Sequence, residues 1–211
     1  MALFNQDTQN QLKDIFKDLK DPVTIALFTG DDCQTCPDTL AFMEELENLS
    51  DKLVLRKHSL DDKDQVEALN IERVPAIVLL DQEGKNRHMK FYGIPAGHEI
   101  NSFISGLMEV SGAGERLPSQ VQAELDQLDK KVKIKVFVTL SCPHCSGAVS
   151  KAHKLAFENE NIEAEMIECS TFPDLANQYQ VQGVPKIVFN DREELVGNQP
   201  LDQFISAVLK A

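Results

Sequence analysis

Five cysteines occur in this 211-residue chain, and four of them form two Cys-x-x-Cys pairs, Cys33-Gln-Thr-Cys36 and Cys142-Pro-His-Cys145. Two intervening residues allow the second sulfur to close a ring with the first. That spacing suits reversible dithiol–disulfide exchange, in which a thiolate is the attacking species. Cys33 and Cys142 are the expected exposed nucleophiles. Cys36 and Cys145 are the expected resolving thiols, which attack a mixed disulfide and release the substrate. Pro143 and His144 distinguish the second pair and are its expected tuning residues. A histidine beside the thiolate favours the reduced form, so the second disulfide is expected to be the stronger oxidant. Asp31-Asp32 flanks Cys33, where negative charge opposes thiolate formation. Two such pairs could instead hold a structural zinc, but zinc ribbons keep their pairs within a few tens of residues. Here the pairs are 109 positions apart and each precedes a helical stretch. The expectation is redox chemistry, with no metal site. Cys169 reads as a small buried hydrophobe.

A reactive cysteine needs an element that stabilises its thiolate. The N-terminus of a helix does so, through unpaired N–H groups and a partial positive charge. After Cys36, Pro37–Leu49 places Leu40, Met43 and Leu46 on one helical side. After Cys145, Ser146–Phe157 does the same with Val149, Ala152 and Ala156. Each pair also follows a short β-rich run, and the runs match at a constant offset: Val23, Ile25, Leu27 and Phe28 against Val132, Ile134, Val136 and Phe137. Upstream, Leu12, Ile15, Phe16 and Leu19 mark a helix face. Val121, Leu125 and Leu128 repeat it after Pro118 and a Ser119-x-x-Gln122 capping box. Downstream, Val74-Pro75-Ala-Ile-Val matches Val184-Pro185-Lys-Ile-Val. A proline opening a strand after a loop is a candidate for a cis peptide bond.

The chain is therefore a duplication. Each copy reads helix, strand, Cys-x-x-Cys, helix, strand, helix, Val-Pro-led strand, strand, helix, which implies an α/β unit with a partly parallel sheet. The expected units are 1–115 and 116–211, divided near Ser111–Pro118, where small residues and a proline interrupt the helical pattern.

With 34 acidic against 21 basic residues, the net charge is -13. An acidic surface repels phosphate, so neither nucleic acid nor an anionic membrane is an expected partner. No segment approaches the roughly 20 apolar residues of a membrane-spanning helix. The first residues show no basic region followed by an apolar stretch, so no secretory signal is expected. The expected compartment is the cytosol, where disulfides are usually transient and catalytic.

These residues resemble the thioredoxin superfamily, and the whole chain resembles its two-unit protein disulfide oxidoreductases, also called glutaredoxin-like proteins. The carrying segments are the Cys-x-x-Cys pairs with their Val-Pro partners, Gly93-Ile-Pro-Ala-Gly-His98, Val136–Cys145 and Ala152-His-Lys154. The resemblance implies two tandem thioredoxin-like folds joined through a continuous mixed β-sheet. It implies that Val74, Pro75, Val184 and Pro185 face the cysteines and position substrate. It implies dithiol–disulfide exchange on protein disulfides, with the C-terminal site dominant and with no cofactor beyond the redox-active disulfides. Electrons would come from a separate thioredoxin-reductase-like flavoprotein, and a peroxiredoxin is an implied client. The chain departs from ordinary thioredoxin in lacking tryptophan. Leu27 and Val136 stand where thioredoxin has a buried aspartate, and Glu168 is the proton-relay residue that the resemblance suggests.

Overall fold

The computed structural model describes residues 3–211. Met1 and Ala2, which begin the expected N-terminal unit, lie outside the described residues. The first copy contains α1 (Gln6–Phe16), β1 (Val23–Thr29), α2 (Cys36–Glu47), β2 (Leu53–Ser59), α3 (Lys63–Ala68), β3 (Ala76–Leu80), β4 (Asn86–Tyr92), a 3-10 turn (Gly97–Glu99) and α4 (Ile100–Val110). The second contains α5 (Ser119–Leu125), β5 (Val132–Val138), α6 (Cys145–Glu158), β6 (Ile162–Glu168), α7 (Pro173–Gln178), β7 (Lys186–Phe189), β8 (Glu193–Val196) and α8 (Leu201–Lys210). Apart from the 3-10 turn, the two orders correspond element for element, as the repeat predicts.

Local departures have local causes. Ser119 is the first residue of α5 and not its cap. Pro118 occupies that position, its carbonyl accepting the Gln122 N–H at 3.0 Å, and no side chain caps the helix. In α1, Leu12 and Phe16 are buried while Ile15 is exposed. Leu19 packs into the core from beyond the helix end.

All eight strands form one mixed sheet in the order β2-β1-β3-β4-β6-β5-β7-β8. Each copy contributes the same four-strand pattern, with β1 or β5 parallel to one neighbour and antiparallel to the other. The copies join head to tail. β4 runs parallel to β6, with Met89, Lys90, Phe91 and Tyr92 opposite Ala164, Glu165, Met166 and Ile167. β6 is the counterpart of β2, so equivalent strands have different fates. β2 is an edge strand with exposed side chains, whereas β6 is paired on both sides and nearly all buried.

One apolar core spans the junction. Phe91, Phe103 and Leu107 of the first copy belong to the same buried cluster as Ala152, Leu155 and Met166 of the second. The rings of Phe91 and His153 meet edge to face at 4.6 Å, and His153 Nε2 lies 3.2 Å from the Lys90 carbonyl oxygen. His153 thus packs the two copies together and holds a polar contact to β4. Burial pushes its pKa down to about 4.

Candidate active sites

Both Cys-x-x-Cys pairs are closed as disulfides, Cys33 to Cys36 and Cys142 to Cys145, with Cα separations of 5.4 and 5.5 Å. Cys36 and Cys145 are the first residues of α2 and α6. Each sulfur pair therefore straddles the positive end of a helix, where a thiolate is stabilised. Cys36 is 3% exposed and Cys145 fully buried, which suits resolving thiols. The nucleophiles differ from expectation. Cys33 is half-buried, and Cys142 is only 9% exposed.

The junction explains the difference. Because β4 and β6 are parallel, the segment after β4 reaches the same end of the sheet as the loop between β5 and α6. The His98 N–H donates to the Leu140 carbonyl at 3.0 Å, two residues before Cys142. A side chain at Gly97 would collide with that same Leu140 carbonyl, and Gly97 has a φ of +57°. A side chain at Gly93 would come within 2.6 Å of Glu168 Cβ. Both glycines in Gly93–His98 are thus required by the close approach of the copies. The first copy thus packs against the loop that leads to Cys142, whereas β2 beside site one is an edge with no further strand.

The valines of the expected Val-Pro pairs lie near the active-site cysteines. Val74-Pro75 and Val184-Pro185 are both cis and lead directly into β3 and β7. Cys142 Sγ lies 3.8 Å from the Val184 carbonyl oxygen. At site one, Val74 and Cys33 line a common groove of about 350 Å³ with Gly30, Leu60, Asp31, Asp32 and Asp61. The sequence marked Asp31 and Asp32; Asp61 joins them only through the fold. Pro143 and His144 are exposed, and His144 takes the N-cap position of α6 without a side-chain capping bond.

Glu168 is buried at the end of β6. Its carboxylate accepts hydrogen bonds from the Ser170 and Thr171 N–H groups and the Thr171 hydroxyl, at 3.0, 2.6 and 2.7 Å. Leu27 and Val136 are fully buried and apolar, so neither copy has a carboxyl at that position. Sequence reasoning missed Glu99. It is fully buried in the 3-10 turn that packs against α6. Its Oε2 accepts from the Ser102 hydroxyl at 2.6 Å, and its Oε1 has no partner. Burial pushes its pKa up to about 7. No signal in the sequence singles it out, because the feature that matters is its burial across a junction.

Cys169 is half-buried, and burial pushes its thiol up to about 11, which leaves it unreactive. Among the described residues, no group of three or more His, Cys, Asp or Glu side chains is placed to hold a metal ion.

The thioredoxin domain family matches residues 132–210. The alkylhydroperoxide reductase component AhpF from Enterococcus faecalis superposes with a TM-score of 0.92 at 30% identity, covering 98% of this chain and all of that one. A protein disulfide oxidoreductase from Aeropyrum pernix superposes with a TM-score of 0.90 at 30% identity, covering 99% of this chain and 93% of that one. The chain belongs to the two-unit protein disulfide oxidoreductases of the thioredoxin superfamily. The family fold accounts for the continuous sheet and for the element-by-element repeat. The corresponding alkyl hydroperoxide reductase component of Pseudomonas aeruginosa is 23% identical over 98% of this chain. The chain spans 37% of that relative's length.

Proposed function

We propose that this chain reduces or forms disulfides in client proteins, with Cys142–Cys145 as its leading site and Cys33–Cys36 as a second site. The observation that carries this reading is the Cys142 sulfur, set at the positive end of α6 and 3.8 Å from the Val184 carbonyl oxygen. An extended client segment pairs its backbone with that of Val184, or of Val74 at site one, and so lays its disulfide over the nucleophile. Pro75 and Pro185 hold those backbone groups towards the client. The two sites belong to two units, 1–115 and 116–211.

In the reducing direction the Cys142 thiolate attacks one client sulfur. The client disulfide breaks, and its other sulfur leaves as a thiolate and takes up a proton. The Cys145 thiolate then attacks Cys142 in the mixed disulfide. The client's second sulfur leaves, and the Cys142–Cys145 disulfide remains, so two electrons have passed to the client. Glu99 is the group we assign to take the Cys145 proton, because its free oxygen is buried in the turn packed on α6. Pro143 and His144 tune the thiolate of Cys142. Glu168 acts on site two by fixing the Ser170–Thr171 turn against Gly93. Run in reverse, the same steps oxidise a client dithiol.

The chain needs no bound cofactor for this chemistry, and its electrons come from a thioredoxin-reductase-like flavoprotein. The match to the alkyl hydroperoxide reductase component AhpF supports a second reading, in which the client is a peroxiredoxin. Among the described residues no helix is long and apolar enough to cross a membrane, and we assign the protein to the cytosol.

Dithiothreitol-driven reduction of insulin by wild type, Cys33→Ser and Cys142→Ser tests the proposal. Wild-type activity that falls mainly with Cys142→Ser supports it. An inactive wild type overturns it.

A further inference from the structure

The segment before Val74-Pro75 is tied down by the other copy, and its counterpart before Val184-Pro185 is not. Glu72 reaches across the junction, where Lys133 on β5 donates to its carboxylate at 2.7 Å. Lys133 is itself held between Glu163 and Glu165 on β6, each at 3.1 Å. Arg73 binds Glu72 at 2.8 Å, lies 4.6 Å over the Tyr92 ring, and sits 3.9 Å from the buried Glu165 carboxylate. Lys90, fully buried, donates to the Asn70 carbonyl at 3.0 Å and to Glu163 at 2.8 Å. Three cations and three carboxylates thus pin residues 70–73 to the second copy. In that copy the aligned positions are Gln182 and Gly183. Both are exposed, and a side chain at Gly183 would meet nothing within 4 Å.

We infer that Lys133 and Glu165 of the second copy are positioning residues for client binding at the first site. They hold Glu72 and Arg73, and through them the Val74 backbone beside Cys33. The asymmetry is built into head-to-tail joining. Only the first copy has a partner beyond its β4, so only its client-binding segment has charges from another unit to rest on. A pre-set segment loses less freedom when a client docks, which lowers KM without changing the thiol chemistry. The segment at site two is left to adapt to its client. This inference rests on the proposed role of Cys33–Cys36 as a working site.

The test uses two full-length parents, Cys142→Ser/Cys145→Ser, which leaves site one, and Cys33→Ser/Cys36→Ser, which leaves site two. Lys133→Gln, Lys133→Arg and Glu72→Gln are placed in each, and insulin reduction by dithiothreitol is followed. Lys133→Gln and Glu72→Gln are expected to raise KM at site one about three- to thirtyfold with kcat little changed. Lys133→Arg restores KM, and site two is unmoved by any of the three. An unchanged KM at site one, or an equal rise at both sites, overturns the inference. Glu72 is on the surface, so its variant carries the test if Lys133→Gln does not fold. Amide hydrogen exchange over residues 72–76 is read in the same proteins and is expected to quicken. If the site-one parent is inactive, the functional reading of Cys33–Cys36 fails. Exchange then decides alone, and an unchanged rate over 72–76 overturns the staple.

Discussion

The sulfur of Cys142 and the carbonyl oxygen of Val184 lie 3.8 Å apart although 42 residues separate them in sequence. This contact puts the backbone edge proposed to hold a client beside the Cys142–Cys145 disulfide. At site one, Val74 and Cys33 share the wall of an open groove. The better-enclosed site is expected to carry most of the activity. Cys142→Ser should remove at least about nine-tenths of insulin reduction, and Cys33→Ser less than half, as expected for loss of a nucleophile. Equal losses would contradict the ranking of the two sites.

Charge separates the sites as well. Asp31, Asp32 and Asp61 border Cys33, whereas His144 follows Cys142 with one residue between. Carboxylates disfavour a thiolate, and a histidine favours it. The Cys142–Cys145 disulfide is expected to have the higher reduction potential, by on the order of 30 mV, equivalent to about tenfold in the equilibrium constant. Redox titration of each site in isolation, against a glutathione or dithiothreitol buffer, measures this directly. A lower potential at Cys142–Cys145 would refute the assignment.

The role proposed for Glu99 predicts a pH dependence at site two. Burial pushes its carboxyl up to about 7, so activity that relies on its ionised form should rise through that pH. Glu99→Gln is expected to slow turnover at site two about tenfold or more at pH 7.5 and to flatten the profile. Site one, assayed alone, should keep its own profile. A Glu99→Gln profile that still rises through pH 7 would remove Glu99 from the mechanism.

Glu99 and His153 also act on stability, with opposite signs. Glu99 is raised from 4.5 to about 7, so the folded protein retains a proton that the unfolded chain has lost. Its contribution is fully present below pH 4.5 and is lost as pH rises through 7. His153 is lowered from 6.5 to about 4, so its contribution is present above pH 6.5 and is lost as pH falls through 4. Each corresponds to roughly 3 kcal/mol, and the two windows largely overlap. Wild-type stability should therefore be nearly flat between pH 4.5 and 6.5. Urea unfolding across that range is expected to show a rising slope for Glu99→Gln and a falling slope for His153→Leu. Parallel slopes in the two variants would show that neither residue controls this limb.

The junction itself can be probed at Gly97. A methyl group there meets the Leu140 carbonyl and forces a positive-φ residue off glycine. Gly97→Ala is expected to destabilise the protein by about 1–2 kcal/mol. It should slow site two several-fold while site one is spared, which site-specific insulin assays would resolve.

Much of this was legible in the sequence. The chemistry could be read from Cys-x-x-Cys spacing, because ring closure between two sulfurs depends on local geometry alone. The repeat and the element order could be read from matched apolar patterns, because helices and strands announce themselves by period. The helix-start positions of Cys36 and Cys145 and the strand-leading prolines are local in the same sense. Beyond the continuous sheet that the family resemblance implied, what the sequence left open was the detail of contact between the copies. Nothing local states that β4 pairs with β6 and not with another edge. That pairing buries Glu99 and His153, brings Gly97 against Leu140, and encloses Cys142. It also ties Glu72 to Lys133, which lies 61 residues away. Two units of the same element order thereby acquire sites with different surroundings. The reason is physical: head-to-tail joining gives each copy a different neighbour, and burial, charge pairing and access depend on the neighbour.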